Sequence, residues 1–172
     1  MAVMRAPPSA LLLTSQFDSP IGIFGLAAEE DGTVVQVTLP GLGRVPDGRP
    51  SNAVLAPVLE ALGRYFAGDP PVWAFRYRPA GSPFQQRVWA ALEAIPYGET
   101  RSYGAVADAV GCPGAARAVG AANRANPLPV VIPCHRVVAA DGALTGYAGR
   151  RGLGIKRYLL DLESGTGHLP LG

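Results

Sequence analysis

Three prolines within seven residues, Pro127, Pro129 and Pro133, punctuate an apolar run that leads into Cys134-His135-Arg136-Val137-Val138. Proline fixes φ, so the approach to the cysteine is stiff. The apolar residues between the prolines should lie against the core. Cys134 is therefore expected at the end of a rigid, largely buried segment, its thiol at the floor of a pocket rather than on a mobile loop. A thiol there stays protonated near its ordinary pKa of about 8.5 unless something polarises it. An imidazole is the usual polariser, directly or through a water. Taken alone, a Cys-His pair is equally a buried cysteine beside a satisfied histidine.

Composition narrows the choices. Apolar residues make up 48% of the 172 positions, enough for a real core. No apolar run reaches the ~18 residues a membrane span needs. Met1 to Pro8 lacks the basic and apolar regions of a secretory signal. Two cysteines, Cys112 and Cys134, and two histidines, His135 and His168, do not make a zinc framework, and no metal site is expected. Spacing leaves a disulfide open, although an intracellular chain with a working thiol fits better. Net charge is only +2, but it is unevenly spread: residues 101–172 hold eight Arg/Lys against four Asp/Glu. Nearly all the basic groups are arginine, whose planar fork suits phosphate. A coding preference would give the same bias.

Along the chain, Leu11–Phe17, Ile21–Ala28 and Thr33–Leu39 read as strands, with turns at Asp18-Ser19-Pro20 and Glu29–Gly32. Residues 40–51 read as an exposed loop. Leu55, Val58, Leu59, Leu62, Tyr65 and Phe66 mark the apolar face of a helix that Gly68 ends. Val72–Tyr77 suggests a further strand before a linker at Pro79-Ala80-Gly81. Ser82-Pro83-Phe84-Gln85 is a capping-box start, opening a helix that Pro96-Tyr97-Gly98 stops. Ser102 caps a second helix to Val110, and Cys112-Pro113-Gly114 leads into a third, Ala115 to Ala125. Two short helices about a Gly/Pro turn form a helix-turn-helix pattern. The small residues of the third helix suit close approach to DNA and close core packing equally. Val137 to Leu144 reads as a hairpin about Asp141-Gly142. Residues 146–152 read as a mobile basic loop, Leu153–Glu163 as the last helix, and the tail from Ser164 as frayed.

The blocks Phe84-Gln85, Val88-Trp89, Ile95–Thr100, Ser102-Tyr103, Ala116–Gly120, Asn126-Pro127, Pro133–Val138 and Gly146-Tyr147 occur in one order over residues 81–163. In that arrangement they resemble the O6-alkylguanine-DNA alkyltransferases (methylated-DNA–protein-cysteine methyltransferases). The resemblance implies an α+β fold: a ribonuclease-H-like N-terminal sheet domain over residues 1–80, then a winged-helix-like catalytic domain over residues 81–172. It implies irreversible transfer of an alkyl group from O6-alkylguanine in double-stranded DNA to Cys134, once per molecule, with O4-alkylthymine a further candidate substrate. No cofactor is implied. His135 matches the base, Glu163 the carboxylate that orients it, and Asn126 the residue tying the helix-turn-helix to the active-site strand. Asp161 is the rival carboxylate, but it points about 200° away from Glu163 on a helix.

The same resemblance makes Arg117 the residue that fills the stack when the base is flipped. It makes Tyr103 the residue that turns the target phosphate and protonates the leaving guanine. Ala116, Arg124, Arg136, Arg150 and Arg151 are further candidate DNA contacts. Pro129, Val137, Tyr147, Ala148 and Gly149 are candidate pocket walls, with the Cys134 and Val137 carbonyls accepting from the guanine amino group. Minor-groove contact through phosphates and shape would be salt-sensitive. A monomer acting in the cytoplasm (at the nucleoid, or in the nucleus of a eukaryote) is expected. A lesion binder without transfer chemistry, or an alkylation-sensing regulator, are the alternatives. Cys134 argues against the first, and the lack of a zinc-binding or regulatory domain against the second.

Overall fold

The computed structural model describes residues 12–145 and 149–166. The first half is a four-stranded sheet, order β3-β2-β1-β4, built from β1 (Leu12–Ser19), β2 (Gly22–Ala28), β3 (Val34–Thr38) and β4 (Gly48–Pro50). β1 and β2 form an antiparallel hairpin in which Phe17 faces Phe24 and Ser19 faces Gly22. The turn is therefore Pro20-Ile21, one residue later than the sequence suggested. Gly22 closes it at φ +113, a value side chains resist. α1 (Asn52–Phe66) lies on this sheet, with Leu55, Val58, Leu62 and Tyr65 buried as its spacing predicts.

Two expectations for this half need correction. Residues 40–51 are not all loop, because β4 pairs in parallel with β1. A Cβ on Gly48 would sit 2.4 Å from the Leu12 carbonyl, so glycine is what permits the approach. Three exposed residues ending in proline on a sheet edge carry no alternation to reveal them. Conversely, Val72–Tyr77 is no strand. Its alternation is an aromatic ladder, Trp73–Phe75–Tyr77, with ring centroids 5.9 and 6.1 Å apart. It meets the sheet only where Val34 bonds to Arg76 and Arg78. Prolines 70, 71 and 79 flank this segment and remove ladder donors.

The second half holds α2 (Pro83–Glu93), β5 (Arg101–Ser102), α3 (Tyr103–Ala109), α4 (Ala116–Arg124), a 3-10 turn (Cys134–Arg136), β6 (Val137–Val138) and α5 (Gly149–Ser164). α2 starts with the full capping box: Gln85 N–H donates to Ser82 Oγ at 3.3 Å, and Ser82 N–H to Gln85 Oε1 at 2.8 Å. Ser102 caps α3 by the side-chain bond alone, its Oγ accepting from Ala105 N–H at 3.1 Å. α3 and α4 form the helix-turn-helix. α4 satisfies both readings of its small residues, because Val119, Ala122 and Asn123 are buried while Arg117, Ala118, Ala121 and Arg124 face outward. Trp89 fixes the buried side by donating its indole N–H to the Ala122 carbonyl at 3.0 Å.

Three further corrections concern the C-terminal segments. The chain does turn at Asp141-Gly142, where Ala139 N–H reaches the Ala143 carbonyl at 3.0 Å. However, β6 pairs in parallel with β5 rather than with a returning strand. α5 begins at Gly149, so Arg150 and Arg151 occupy its first turn instead of a loop. Glycines at 149, 152 and 154 hide that turn from propensity. Ser164–Thr166 do not fray: Gly165 takes φ +69 and Thr166 N–H bonds back to the Asp161 carbonyl at 3.2 Å.

One hydrophobic cluster runs through both halves, joining Phe24, Leu26, Leu55 and Leu62 to Trp89, Leu92, Leu128, Ile132 and Leu159. Val37 N–H donates across to the Pro127 carbonyl at 2.8 Å. No helix among the described residues is long and apolar enough to cross a membrane.

The two serines that precede long helices should behave differently. Ser82→Ala should cost about 1 kcal/mol in urea unfolding, because it removes a cap that is made. Ser51, which makes no side-chain cap bond to α1, should lose less than about 0.5 kcal/mol on the same change.

Candidate active site

The proline-spaced segment folds as a tight turn rather than a strand. Ile132 N–H bonds to the Leu128 carbonyl and Cys134 N–H to the Ile132 carbonyl, both at 2.8 Å. Val130 sits at φ +75, the one non-glycine among the described residues in the left-handed region. For a β-branched residue this is strain of roughly 1–3 kcal/mol that the surroundings must hold. Asn126 supplies the clamp: its Nδ2 donates to the Ile132 carbonyl and its Oδ1 accepts from Leu128 N–H, each at 2.9 Å. The side chain thus ties the end of α4 to the turn carrying Cys134. Cys134 itself is 2% exposed, and neither it nor Cys112 is in a disulfide.

Beneath the cysteine lies a buried polar cluster centred on Glu163, the last but one residue of α5. Glu163 Oε1 is 2.7 Å from His135 Nε2, 2.7 Å from the Tyr65 hydroxyl and 3.0 Å from an Arg136 terminal nitrogen. Oε2 takes Arg136 Nε at 2.8 Å and Gly98 N–H at 3.2 Å. Burial opposes ionisation of Glu163, but hydrogen bonds from His135 and Arg136 and the Arg136 charge outweigh it and hold the carboxyl well below its usual range. Burial is also the largest influence on His135 and pushes its pKa down, against the pull of Glu163. The consistent state is ionised Glu163 paired with cationic Arg136, beside a neutral imidazole. An ionised carboxylate only accepts, so His135 Nε2 must carry the proton. Nδ1 then presents its lone pair and has no protein partner among the described residues. The arrangement can accept a proton on one side of the ring while the other side is anchored.

Some sequence-derived assignments change here. Arg136, expected among the DNA contacts, is 5% exposed, with its guanidinium committed to Glu163 and to the Ile95 carbonyl at 2.7 Å. It is turned inward because a buried carboxylate beside the Cys-His pair needs a counter-charge. The Val137 carbonyl, expected to meet guanine, already accepts from Lys156 Nζ. Lys156, counted in the sequence only as positive charge, is fully buried and also donates to the Thr145 carbonyl at 3.0 Å. Burial lowers its pKa to about 8. Tyr65 was legible only as a core residue. Asn123 was not singled out at all, yet both its amide atoms are buried without a partner among the described residues.

Two hollows bear on the candidate site residues, and one of them borders the cysteine segment. One of about 320 Å³ opens between residues 36–43 and the stretch containing Asn123, Asn126, Pro129 and Cys134. The other, of about 520 Å³, lies on the outer face of α4 and is lined by Tyr103, Ala116, Arg117, Gly120, Ala121, Arg124 and Thr145. The structure therefore brings Tyr103, Ala116, Arg117 and Arg124 to one surface. Tyr103 donates to the Thr145 carbonyl at 3.0 Å, and Lys156 Nζ lies 5.6 Å from the centre of its ring. Burial raises the Tyr103 pKa, so the phenol keeps its proton. Arg150 and Arg151 are exposed on α5, with the Arg151 guanidinium lying over Gly41. Tyr147 and Ala148 lie outside the described residues, and of Gly149 only its place at the start of α5 is described.

The cluster should make the fold acid-labile in two steps. His135 has a depressed folded pKa, so the unfolded state takes up its proton first and stability should fall as pH drops through 6.5. Glu163 is likewise depressed, so its contribution is present above 4.5 and lost as pH falls below that value. Urea unfolding at a series of pH values should show both limbs. His135→Gln should flatten the upper limb and Glu163→Gln the lower.

Residues 83–165 match the family model described as 6-O-methylguanine DNA methyltransferase, DNA binding domain. The chain is 48% identical over 149 residues to a methylated-DNA–protein-cysteine methyltransferase of Mycolicibacterium paratuberculosis, covering 85% of this chain and 88% of that one. It is 45% identical over 150 residues to the protein of that name from Methanosarcina acetivorans, covering 86% and 95%. Among solved structures, Mycobacterium tuberculosis OGT in complex with DNA superposes with TM-score 0.82 at 42% identity, covering 89% of this chain and 93% of that one. The M. tuberculosis O6-methylguanine methyltransferase gives 0.79 at 42%, covering 92% and 94%. Sequence shared along most of both chains, in a common α+β fold, has one reading: this chain belongs to the methylated-DNA–protein-cysteine methyltransferase family.

Proposed function

We propose that this chain repairs DNA by moving the alkyl group of O6-alkylguanine onto Cys134. The observation that carries the reading is a buried thiol whose neighbouring imidazole is anchored at Nε2 by Glu163 and open at Nδ1. In the step, the thiol proton passes to His135 Nδ1, directly or through a water. Sulfur then attacks the alkyl carbon, a carbon–sulfur bond forms and the carbon–oxygen bond breaks. The electron pair leaves with guanine, whose ring takes a proton from the Tyr103 phenol. Sulfur suits displacement at carbon, and the thioether it forms is stable, so one molecule serves one lesion. No cofactor enters the step.

The target carbon is inside a duplex, so the base must leave the stack at a cost of a few kcal/mol. Arg117 on the outer face of α4 fills the gap, with Ala116 small enough to let the helix approach. Arg124, Arg150 and Arg151 meet phosphates, and Pro129 and Val137 wall the pocket. We assign residues 1–80 and 81–172 as two domains, the second carrying the DNA face. Every group named comes from one chain, so a monomer suffices. A DNA substrate puts its work at the genome: in the cytoplasm at the nucleoid of a bacterium, or in the nucleus of a eukaryote.

Intact-mass spectrometry after incubation with a duplex containing O6-methylguanine tests the reading. The expected result is the mass of one added methyl group per chain, absent in Cys134→Ser. Binding to that duplex without any mass change would favour a lesion binder instead. Arg117→Ala should slow transfer from the duplex about tenfold or more, the scale of the flipping cost. It should leave the reaction with free O6-methylguanine base unchanged, and equal loss on both substrates would remove Arg117 from that role.

A further inference from the structure

The DNA face and the nucleophile belong to residues 81–172, but the buried cluster beneath them does not close within that half. Of the five donors on Glu163, four come from the turn after α2 and from the 3-10 turn. The fifth is the hydroxyl of Tyr65, at the end of α1, 98 residues away in sequence. Tyr65 is fully buried, and its ring is wedged among Phe66, Trp73 and Tyr97 at centroid distances of 5.3, 6.0 and 6.3 Å. The aromatic ladder and the proline-rich stretch before α2 therefore hold the ring in place. Its hydroxyl has no freedom to follow Glu163 elsewhere.

The chemistry of the contact is asymmetric. Desolvation is the main reason the Tyr65 phenol is held well above its ordinary pKa, with the Glu163 charge adding to it, so it donates at every working pH. It shares Oε1 with His135 Nε2, and lies 3.4 Å from that nitrogen. As a third donor on the oxygen that anchors the imidazole, beside His135 Nε2 and the Arg136 terminal nitrogen, it draws off part of that oxygen's negative charge. It also fixes the carboxylate plane, so the Nε2–H bond has one direction.

We propose that Tyr65 is a positioning residue of the alkyl-transfer site: its hydroxyl sets the orientation and basicity of Glu163, and through Glu163 keeps His135 in the tautomer that leaves Nδ1 free to accept. The proposal rests on the functional reading above and makes the site incomplete without the first half of the chain. The other charged or titratable groups facing this cluster among the described residues are Arg136 from the 3-10 turn, Lys156 from α5 and Tyr97 from the turn after α2. Asp69 acts only on Tyr97. None of them donates to Oε1 from the first half.

Tyr65→Phe keeps the ring and removes the donor. With less of the carboxylate charge engaged, the imidazolium is better stabilised, so the His135 pKa should rise. Nitrogen-15 NMR of His135 should show the midpoint moving up by about half a unit to one unit, the scale on which single charge-assisted contacts act. The acid limb of the methyl-transfer rate should move with it. In a Glu163→Gln background the same change should move neither. A merely structural role would lower both backgrounds equally and leave the midpoint where it was, and that result overturns the proposal. Wild-type protein supplies a check that does not depend on the variant's folding: finding the neutral His135 proton on Nδ1 would also overturn it. The NMR readouts require no alkyl transfer. If the wild type fails to methylate Cys134 while they behave as expected, the functional reading falls and the positioning of Glu163 stands.

Discussion

Everything in this fold that bears on chemistry is arranged around one buried carboxylate. Taking an ionised Glu out of water costs several kcal/mol even after relaxation, and a single ion pair seldom repays that. Glu163 has five donors, two of them from one guanidinium in side-on contact. They come from α1, the turn after α2 and the 3-10 turn, while the acceptor is on α5. A group that demands so many partners in fixed directions constrains where each of those elements can sit. Arg136 is then not an accessory of the Cys-His pair. It is the counter-charge that makes burial of Glu163 tolerable, and it leaves the imidazole neutral.

Legibility in the sequence followed the range of the interactions. Local chemistry could be read: the capping box at Ser82 and the helix ended by Gly68, while helical phase only set Asp161 on a different face from the Glu163 that the family resemblance pointed to. Glu163 is indeed the buried one. The family resemblance added roles that no spacing could supply. Long-range chemistry could not be read. Tyr65 keeps strict apolar periodicity, and nothing in α1 says that its hydroxyl ends on a residue of α5. Arg136 follows a Cys-His pair on the basic half of the chain, which favours a phosphate contact until a buried carboxylate appears opposite it. β4 escaped because an edge strand of Gly-Arg-Pro has no pattern. Val72–Tyr77 misled because alternating aromatics stack on each other as readily as they line a strand.

The turn around Val130 shows how the site's strain is held. A β-branched residue at φ +75 would relax if its neighbours allowed it. Asn126 prevents this by bonding on both sides of the distortion, and the buried Leu128 and Ile132 anchor each end in the core. The same asparagine lies two residues past α4, whose outward face carries Arg117 and Arg124. The turn that carries Cys134 is therefore tied to the end of that helix by two side-chain hydrogen bonds as well as by the chain itself.

A thiol used only once is under a constraint that a recycling enzyme escapes. Any stray electrophile or oxidant that reaches Cys134 removes the molecule for good, so reactivity and exposure cannot both be high. At 2% exposure the thiol is shielded, and the imidazole proposed to activate it is itself fully buried. A permanently ionised, exposed cysteine would react faster with everything, the lesion included. In the proposed reaction, burying the base as well as the nucleophile favours a substrate that is brought to them over small electrophiles that diffuse in. The expense of burying Glu163, Arg136 and His135 together is then understandable. It buys discrimination in a reaction that allows no second attempt.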